Sequence, residues 1–169
     1  GADGPRGRGD PMEVALLAGA ERAGFGREAL TERQSEVRRE EFEPSVKMMA
    51  TFHETEGGIR VAVKGAPEAV LEVSTRVLRD GEAVELGAGD RDTWSERNEA
   101  LAGAGLRALA VAEKTVEDAD AEPYEGLTLI GLVGLLDPPR DEVREAVHDT
   151  RRAGIQSVMV TGDQPTTAR

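Results

Sequence analysis

The chain contains no cysteine. That excludes a disulfide framework, a thiolate metal site and a cysteine nucleophile, and it fits a reducing compartment. Aromatics are scarce, at 3% of 169 residues, so the core is expected to be built from Ala, Val, Leu and Ile. Cations are in the minority: 21 Lys and Arg face 33 Asp and Glu, a net charge of −12. A general nucleic-acid binder needs surplus bases to neutralise phosphates, so that class is excluded. A small anion held by a few local bases is not. The longest apolar run, 126–136, is well short of the roughly 20 residues a membrane-spanning helix needs. Residues 1–9 carry no apolar signal-peptide core and read as a flexible lead-in. The piece is expected to be soluble and monomeric.

What is present is a series of clear local signals. Asp10 can cap a helix, Pro11 suits its first position, and Glu13 would complete a capping box. Val14, Leu16, Leu17 and Ala20 continue an apolar stripe that Gly24 and Gly26 end. A charged surface helix is expected over 28–35 and an extended segment over 38–42, interrupted by Pro44. Val46, Met48, Ala50 and Phe52 then alternate with Lys47, Met49, Thr51 and His53. Ile59, Val61 and Val63 alternate after Glu56-Gly57-Gly58, which predicts a hairpin. With Gly57-Gly58 as a two-residue loop, Phe52 faces Val63, Thr51 faces Lys64, and Lys47 and Lys64 share a face. A short helix over 67–73 follows, then a hairpin over 77–86 with Asp80-Gly81 at its tip. A helix over 91–102 places Trp94, Asn98 and Leu101 on one side. Strands are predicted over 106–112 and 126–136, the second buried along its length, with an acidic loop at 115–124 between them.

The character changes at Asp137-Pro138-Pro139-Arg140, a stiff extended joint. A helix follows, with Val143, Ala146, Val147 and Thr150 facing inward, Arg151 and Arg152 in its last turn and Gly154 beyond it. Residues 155–160 read as a strand covered on both faces, and Thr161-Gly162-Asp163 lies just past it.

Two motifs can carry chemistry. In open α/β sheets, ligands bind at the carboxyl ends of strands, so Thr161, Gly162 and Asp163 suit an anion, with Asp163 able to hold Mg²⁺ through oxygen. Read alone, the tripeptide is an ordinary strand-to-helix turn with an Asp cap. Lys64-Gly65-Ala66-Pro67-Glu68 puts a cation at a strand end, where it can meet a phosphate as a point charge. Read alone, Lys64 is a solvated side chain beside a routine turn. Phe42 can stack on a base, and Lys47 and Arg107 can meet phosphates. Singly they read as a core residue, a solvated lysine and a surface strand residue. His53 and His148 have no ligand partner at metal spacing and read as structural or surface groups.

The order of motifs joins them: Gly9-Asp10-Pro11-Met12-Glu13, Phe42 with Lys47-Met48-Met49, Lys64-Gly65-Ala66-Pro67-Glu68, Leu106-Arg107-Ala108-Leu109-Ala110, Asp137-Pro138-Pro139-Arg140, and Met159-Val160-Thr161-Gly162-Asp163. The series resembles the cytosolic region of P-type cation-transporting ATPases of the calcium-pump-like branch. The resemblance implies an α+β fold, a mainly antiparallel sheet flanked by helices, followed by a partial haloacid-dehalogenase-like α/β segment. It implies a nucleotide-binding domain over 1–136, then a hinge and truncated part of the phosphorylation domain over 137–169. It further implies that Phe42 stacks on adenine, Glu13 approaches the adenine edge, Lys47, Lys64 and Gly65 line the pocket, and Arg107 reaches the phosphates. Asp137, Pro138, Pro139 and Arg140 form the hinge. Thr161, Gly162 and Asp163 support the phosphoryl site, with Asp163 near Mg²⁺.

The implied parent couples ATP hydrolysis, through an aspartyl-phosphate, to cation transport across a membrane, with this piece on the cytoplasmic face. Its partners are the remaining phosphorylation, actuator and transmembrane domains. The chain departs from the family pattern in having Pro44, Val46 and Ala50 where a Ser, the Arg of an Arg-Lys pair and a Ser are usual. No Asp-Lys-Thr-Gly-Thr segment occurs, so the piece is expected to bind nucleotide without being phosphorylated. Two other readings start from the same residues: a dehalogenase-type phosphohydrolase based on Thr161-Gly162-Asp163, and a non-catalytic acidic interaction module.

Overall fold

A computed structural model describes residues 10–136, 141–156 and 158. The lead-in, the joint at Asp137, Pro138, Pro139 and Arg140, and the Thr161-Gly162-Asp163 motif lie outside the described residues. Helix α1 (Pro11–Arg22) starts as its sequence directs: the Asp10 carboxylate accepts from the Met12 N–H at 2.8 Å, with Pro11 at the first turn. Its apolar stripe is not buried, however; no residue of α1 is. Helix α2 (Arg27–Arg33) is exposed throughout.

The centre is a seven-stranded sheet of β1 (Glu36–Glu43), β2 (Met48–Thr55), β3 (Gly58–Gly65), β4 (Ser74–Arg79), β5 (Glu82–Glu85), β6 (Arg107–Val116) and β7 (Leu127–Leu135). The spatial order is β1-β2-β3-β6-β7-β4-β5. Every neighbouring pair is antiparallel except β4 with β7. Helices α3 (Pro67–Val73) and α4 (Ala88–Gly103) complete the α+β arrangement that the sequence predicts.

Strand alternation divides the sheet into two unlike faces. One face holds the core: Met48, Ala50 and Phe52 of β2 are buried with Val61 and Val63 of β3, Ala110 and Ala112 of β6, Leu127 and Leu129 of β7, and Val70 and Leu71 of α3. Phe52 is the largest fully buried side chain. The core therefore rests on an aromatic as well as on Ala, Val and Leu, with the Arg38 guanidinium 4.6 Å from the Phe52 ring centre. Strand β7 is less covered than its run of apolar residues predicts. Leu127 and Leu129 are buried, while its second half is partly exposed.

The β2–β3 hairpin forms two residues out of the expected register. Thr55 pairs with Gly58, Phe52 with Val61 and Met49 with Lys64. The loop is Glu56-Gly57, and Gly58 takes the left-handed conformation at φ 120°, with the Thr55 hydroxyl donating to its carbonyl at 2.7 Å. A shift of two residues preserves the alternation, so Lys64 remains on the face opposite Val63. The β4–β5 hairpin turns at Asp80-Gly81 with both residues at positive φ, 52° and 86°, as a type I′ turn needs.

Beyond the sheet, α5 (Asp141–Arg152) forms with Arg151 and Arg152 in its last turn. Of its expected inward face, Val143 is 44% exposed and Ala146 is exposed, while Val147 and Thr150 are partly buried. Ile155, Gln156 and Val158 form no strand. Gly154 is left-handed at φ 74°, and the Ile155 N–H is drawn back to the Thr150 carbonyl at 3.0 Å, closing the helix.

Gly58 is fixed by two constraints that Gly57 escapes. A Cβ at position 58 would lie 2.8 Å from the Val116 carbonyl oxygen, whereas one at 57 meets open space. Gly58→Ala is expected to cost about 1–2 kcal/mol or more in urea unfolding, and Gly57→Ala less than about 0.5 kcal/mol. Equal losses would contradict the observed loop.

Candidate functional site

The antiparallel ladder brings the sequence-predicted nucleotide residues of the strands to one end of the sheet. Met48 pairs with Gly65, Gly65 with Ala110, and Ala110 with Leu132. Hence β2 begins, β3 ends, β6 begins and β7 ends at the same rim. The next row, Met49–Lys64–Val111–Gly131, lies on the outward face. Arg107 is four residues from Val111, so it shares this face by alternation, and it is exposed. Phe42 joins them through an irregularity in β1. The register shifts between Glu40 and Glu43 so that Glu43 opposes Met48, which turns Phe42 outward, where it is 58% exposed.

Glu13 reaches the same face from α1. Its carboxylate pairs with the Lys64 ammonium instead of closing a capping box. Lys64 is 22% exposed in its side chain and Glu13 49%, so the pair is partly desolvated from the lysine side only.

Lys47 behaves differently from the expectation that it shares a face with Lys64. It lies in the turn before β2, at φ 59°, so strand alternation does not apply to it. Its N–H donates to the Glu43 carbonyl at 2.7 Å, and its own carbonyl accepts from the Ala66 N–H at 3.0 Å. Its ammonium donates to Glu68 Oε1 at 3.0 Å, in the first turn of α3. Gly65 makes this approach possible: a Cβ there would lie 2.5 Å from the Lys47 carbonyl oxygen and 2.6 Å from Met48 Cγ. Val46, which stands where the family pattern has an arginine, packs partly buried against the core.

Two residues that the sequence did not single out for a role border the site. Glu68 was visible within the Lys-Gly-Ala-Pro-Glu motif. Arg39 shares the outward face by its pairing with Thr51. It meets Glu36 through two hydrogen bonds, each of 2.8 Å. The bond from Arg39 holds the Glu36 carboxyl below its ordinary value, and the same bond raises Arg39. His53 is a structural residue, its ring nitrogens 2.9 Å from the Thr51 hydroxyl and 3.3 Å from the Gln34 carbonyl. His148 is exposed beside Asp149. Among the described residues no group of three His, Cys, Asp or Glu converges as a metal site. Among the described residues a concavity of about 780 Å³ lies elsewhere, between Arg76, Glu113, Lys114 and Thr128 towards the other end of the sheet.

A stackable aromatic and three cations gather at one rim of a mainly antiparallel sheet. Residues 4–142 match the family model described as "P-type ATPase, cytoplasmic domain N". The chain belongs to the P-type ATPase family. Over 95% of its length it is 34% identical to "Calcium-transporting ATPase 1" of Lactococcus lactis and 36% identical to "Calcium-transporting ATPase" of Bacillus subtilis. It is 40% identical, over the same share, to "Cation-transporting ATPase pma1" of Synechocystis. The chain spans only 18–19% of the length of these relatives, so this P-type ATPase segment corresponds to a small part of each. No described helix is long and apolar enough to cross a membrane.

The Arg39–Glu36 bridge on this domain's outward face has a pH signature. Because the Glu36 carboxyl is depressed below 4.5, its stabilising effect is present above that pH and is lost as pH falls through the lower folded value. The Glu36 side-chain carboxyl carbon is expected to titrate in NMR with a midpoint below 4.5, moving back towards 4.5 in Arg39→Gln. An unmoved midpoint would contradict the bridge.

Proposed function

We propose that this chain holds ATP for a cation-transporting P-type ATPase, with residues 1–136 as the nucleotide domain and 137–169 as the hinge and the start of the phosphorylation domain. The observation that carries the reading is the outward-facing row of Met49, Lys64 and Val111, flanked by Phe42 on one side and Arg107 on the other. Four residues of strand, about 14 Å, separate Val111 from Arg107, so Arg107 stands beyond the row along β6. Phe42 would take the adenine ring by stacking, with Glu13 at its polar edge. Lys64 would meet the phosphates as a point charge and Arg107 as a planar fork.

In this reading the phosphorylated aspartate belongs to another part of the parent, and the joint at Asp137-Pro138-Pro139-Arg140 lets the nucleotide domain swing towards it. Such a device requires loose holding, which suits lysines already paired with carboxylates. Mg²⁺ would neutralise phosphate charge in the parent. Asp163, its candidate ligand here, lies outside the described residues. The parent's ATP hydrolysis, its cation transport and the placement of this domain on the cytoplasmic side of a membrane are part of the same proposal. The ion itself would be chosen by other segments of the parent.

Calorimetry with ATP tests the reading. Lys64→Ala is expected to weaken binding about tenfold or more, the effect of a lost charge-assisted hydrogen bond, while unfolding stability changes by no more than about 1 kcal/mol, the scale of a partly exposed ion pair. Amide shifts near Phe42, Lys64 and Arg107 are expected to move with ATP. Parallel loss of fold and binding, or shifts confined to the Arg76–Thr128 concavity, would contradict it.

A further inference from the structure

Lys47 has a left-handed backbone, at φ 59°. A non-glycine residue there is strained by about 1–3 kcal/mol and persists only where its surroundings over-determine it. The surroundings here are three ties: its N–H to the Glu43 carbonyl, its carbonyl to the Ala66 N–H, and its ammonium to Glu68. Two of the three partners belong to the segment Lys64-Gly65-Ala66-Pro67-Glu68, and Gly65 between them leaves the space that the Lys47 carbonyl occupies. Within this segment Lys64 turns to the outward face, while Ala66 and Glu68 clasp a second lysine from a different part of the chain.

We infer that Glu68 is a positioning residue for nucleotide binding, acting through Lys47, whose ammonium it holds at the rim beside the end of β3. This deepens the nucleotide reading above and rests on it. A free lysine side chain carries about 2 kcal/mol of rotamer entropy, and a carboxylate tether removes part of that before the ligand arrives. Glu68 accepts one of the three ammonium N–H groups. Both side chains are about half exposed, 55% and 50%, so the remaining donors stay open to a phosphate.

The test is a double-mutant cycle on the 169-residue chain, with ATP and adenosine as probes in calorimetry. Glu68 is half exposed, so Glu68→Gln is expected to keep the amide spectrum of the fold. It should weaken ATP about two- to fivefold, the scale of a half-exposed ion pair, and leave adenosine unchanged. In a Lys47→Met background the same change should have no effect on ATP. An equal effect in both backgrounds would overturn the proposal, as would tighter ATP binding by Glu68→Gln, which would make Glu68 a competitor. If the unaltered chain takes up no ATP at all, the nucleotide reading itself fails, an outcome distinct from binding without coupling.

Discussion

In the ladder between β2 and β3, Met48 lies opposite Gly65, and a first side-chain carbon at position 65 would stand 2.5 Å from the Lys47 carbonyl oxygen. That close approach sets the start of β2 against the end of β3. It seats the Lys47 turn on the Ala66 N–H and leaves α3 to begin immediately beyond. From the same pairing the antiparallel register carries across to Ala110 and Leu132, so the rim that bears Lys47, Lys64 and Arg107 is one physical edge. A bulkier residue at 65 would disturb the alignment from which the proposed site is built.

In the proposed reading, stability and binding fall to opposite faces of this sheet. The inward face is dry and closely packed around Phe52, where truncation typically costs about 3–5 kcal/mol. The outward face carries partly exposed ion pairs, which contribute little to folding and leave their charges within reach of solvent. Lys64 with Glu13, Lys47 with Glu68 and Arg39 with Glu36 are all of this kind. A chain with a net charge of −12 thus keeps several cations locally compensated, which tempers their attraction for anions in general. A multiply charged phosphate that meets more than one of them gains what a single anion does not.

Much of this was legible in the amino-acid sequence because local chemistry dictates it. Asp10 and Pro11 start α1, Asp80-Gly81 turns β4 into β5, and the alternation of Met48, Ala50 and Phe52 marks the buried face of β2. What was not legible depends on partners distant in the chain. The hairpin register turned on Gly58 taking a left-handed conformation against the Val116 carbonyl, a contact no local reading contains. Lys47 departed from strand alternation because the Glu43 carbonyl and Ala66 N–H hold its turn. The irregularity that turns Phe42 outward needed the β1–β2 pairing to be seen. Glu13 fitted a capping box on spacing alone, yet Lys64 offers its carboxylate a full opposite charge.

In the proposed reading, one rim and one face of the sheet receive the nucleotide. That placement is tested most directly by intermolecular NOEs between the protein and a non-hydrolysable ATP analogue. Contacts are expected from the adenine protons to the Phe42 ring and the Met49 methyl. Adenine contacts at Arg76, Lys114 and Thr128, or at no site on the outward face, would contradict it.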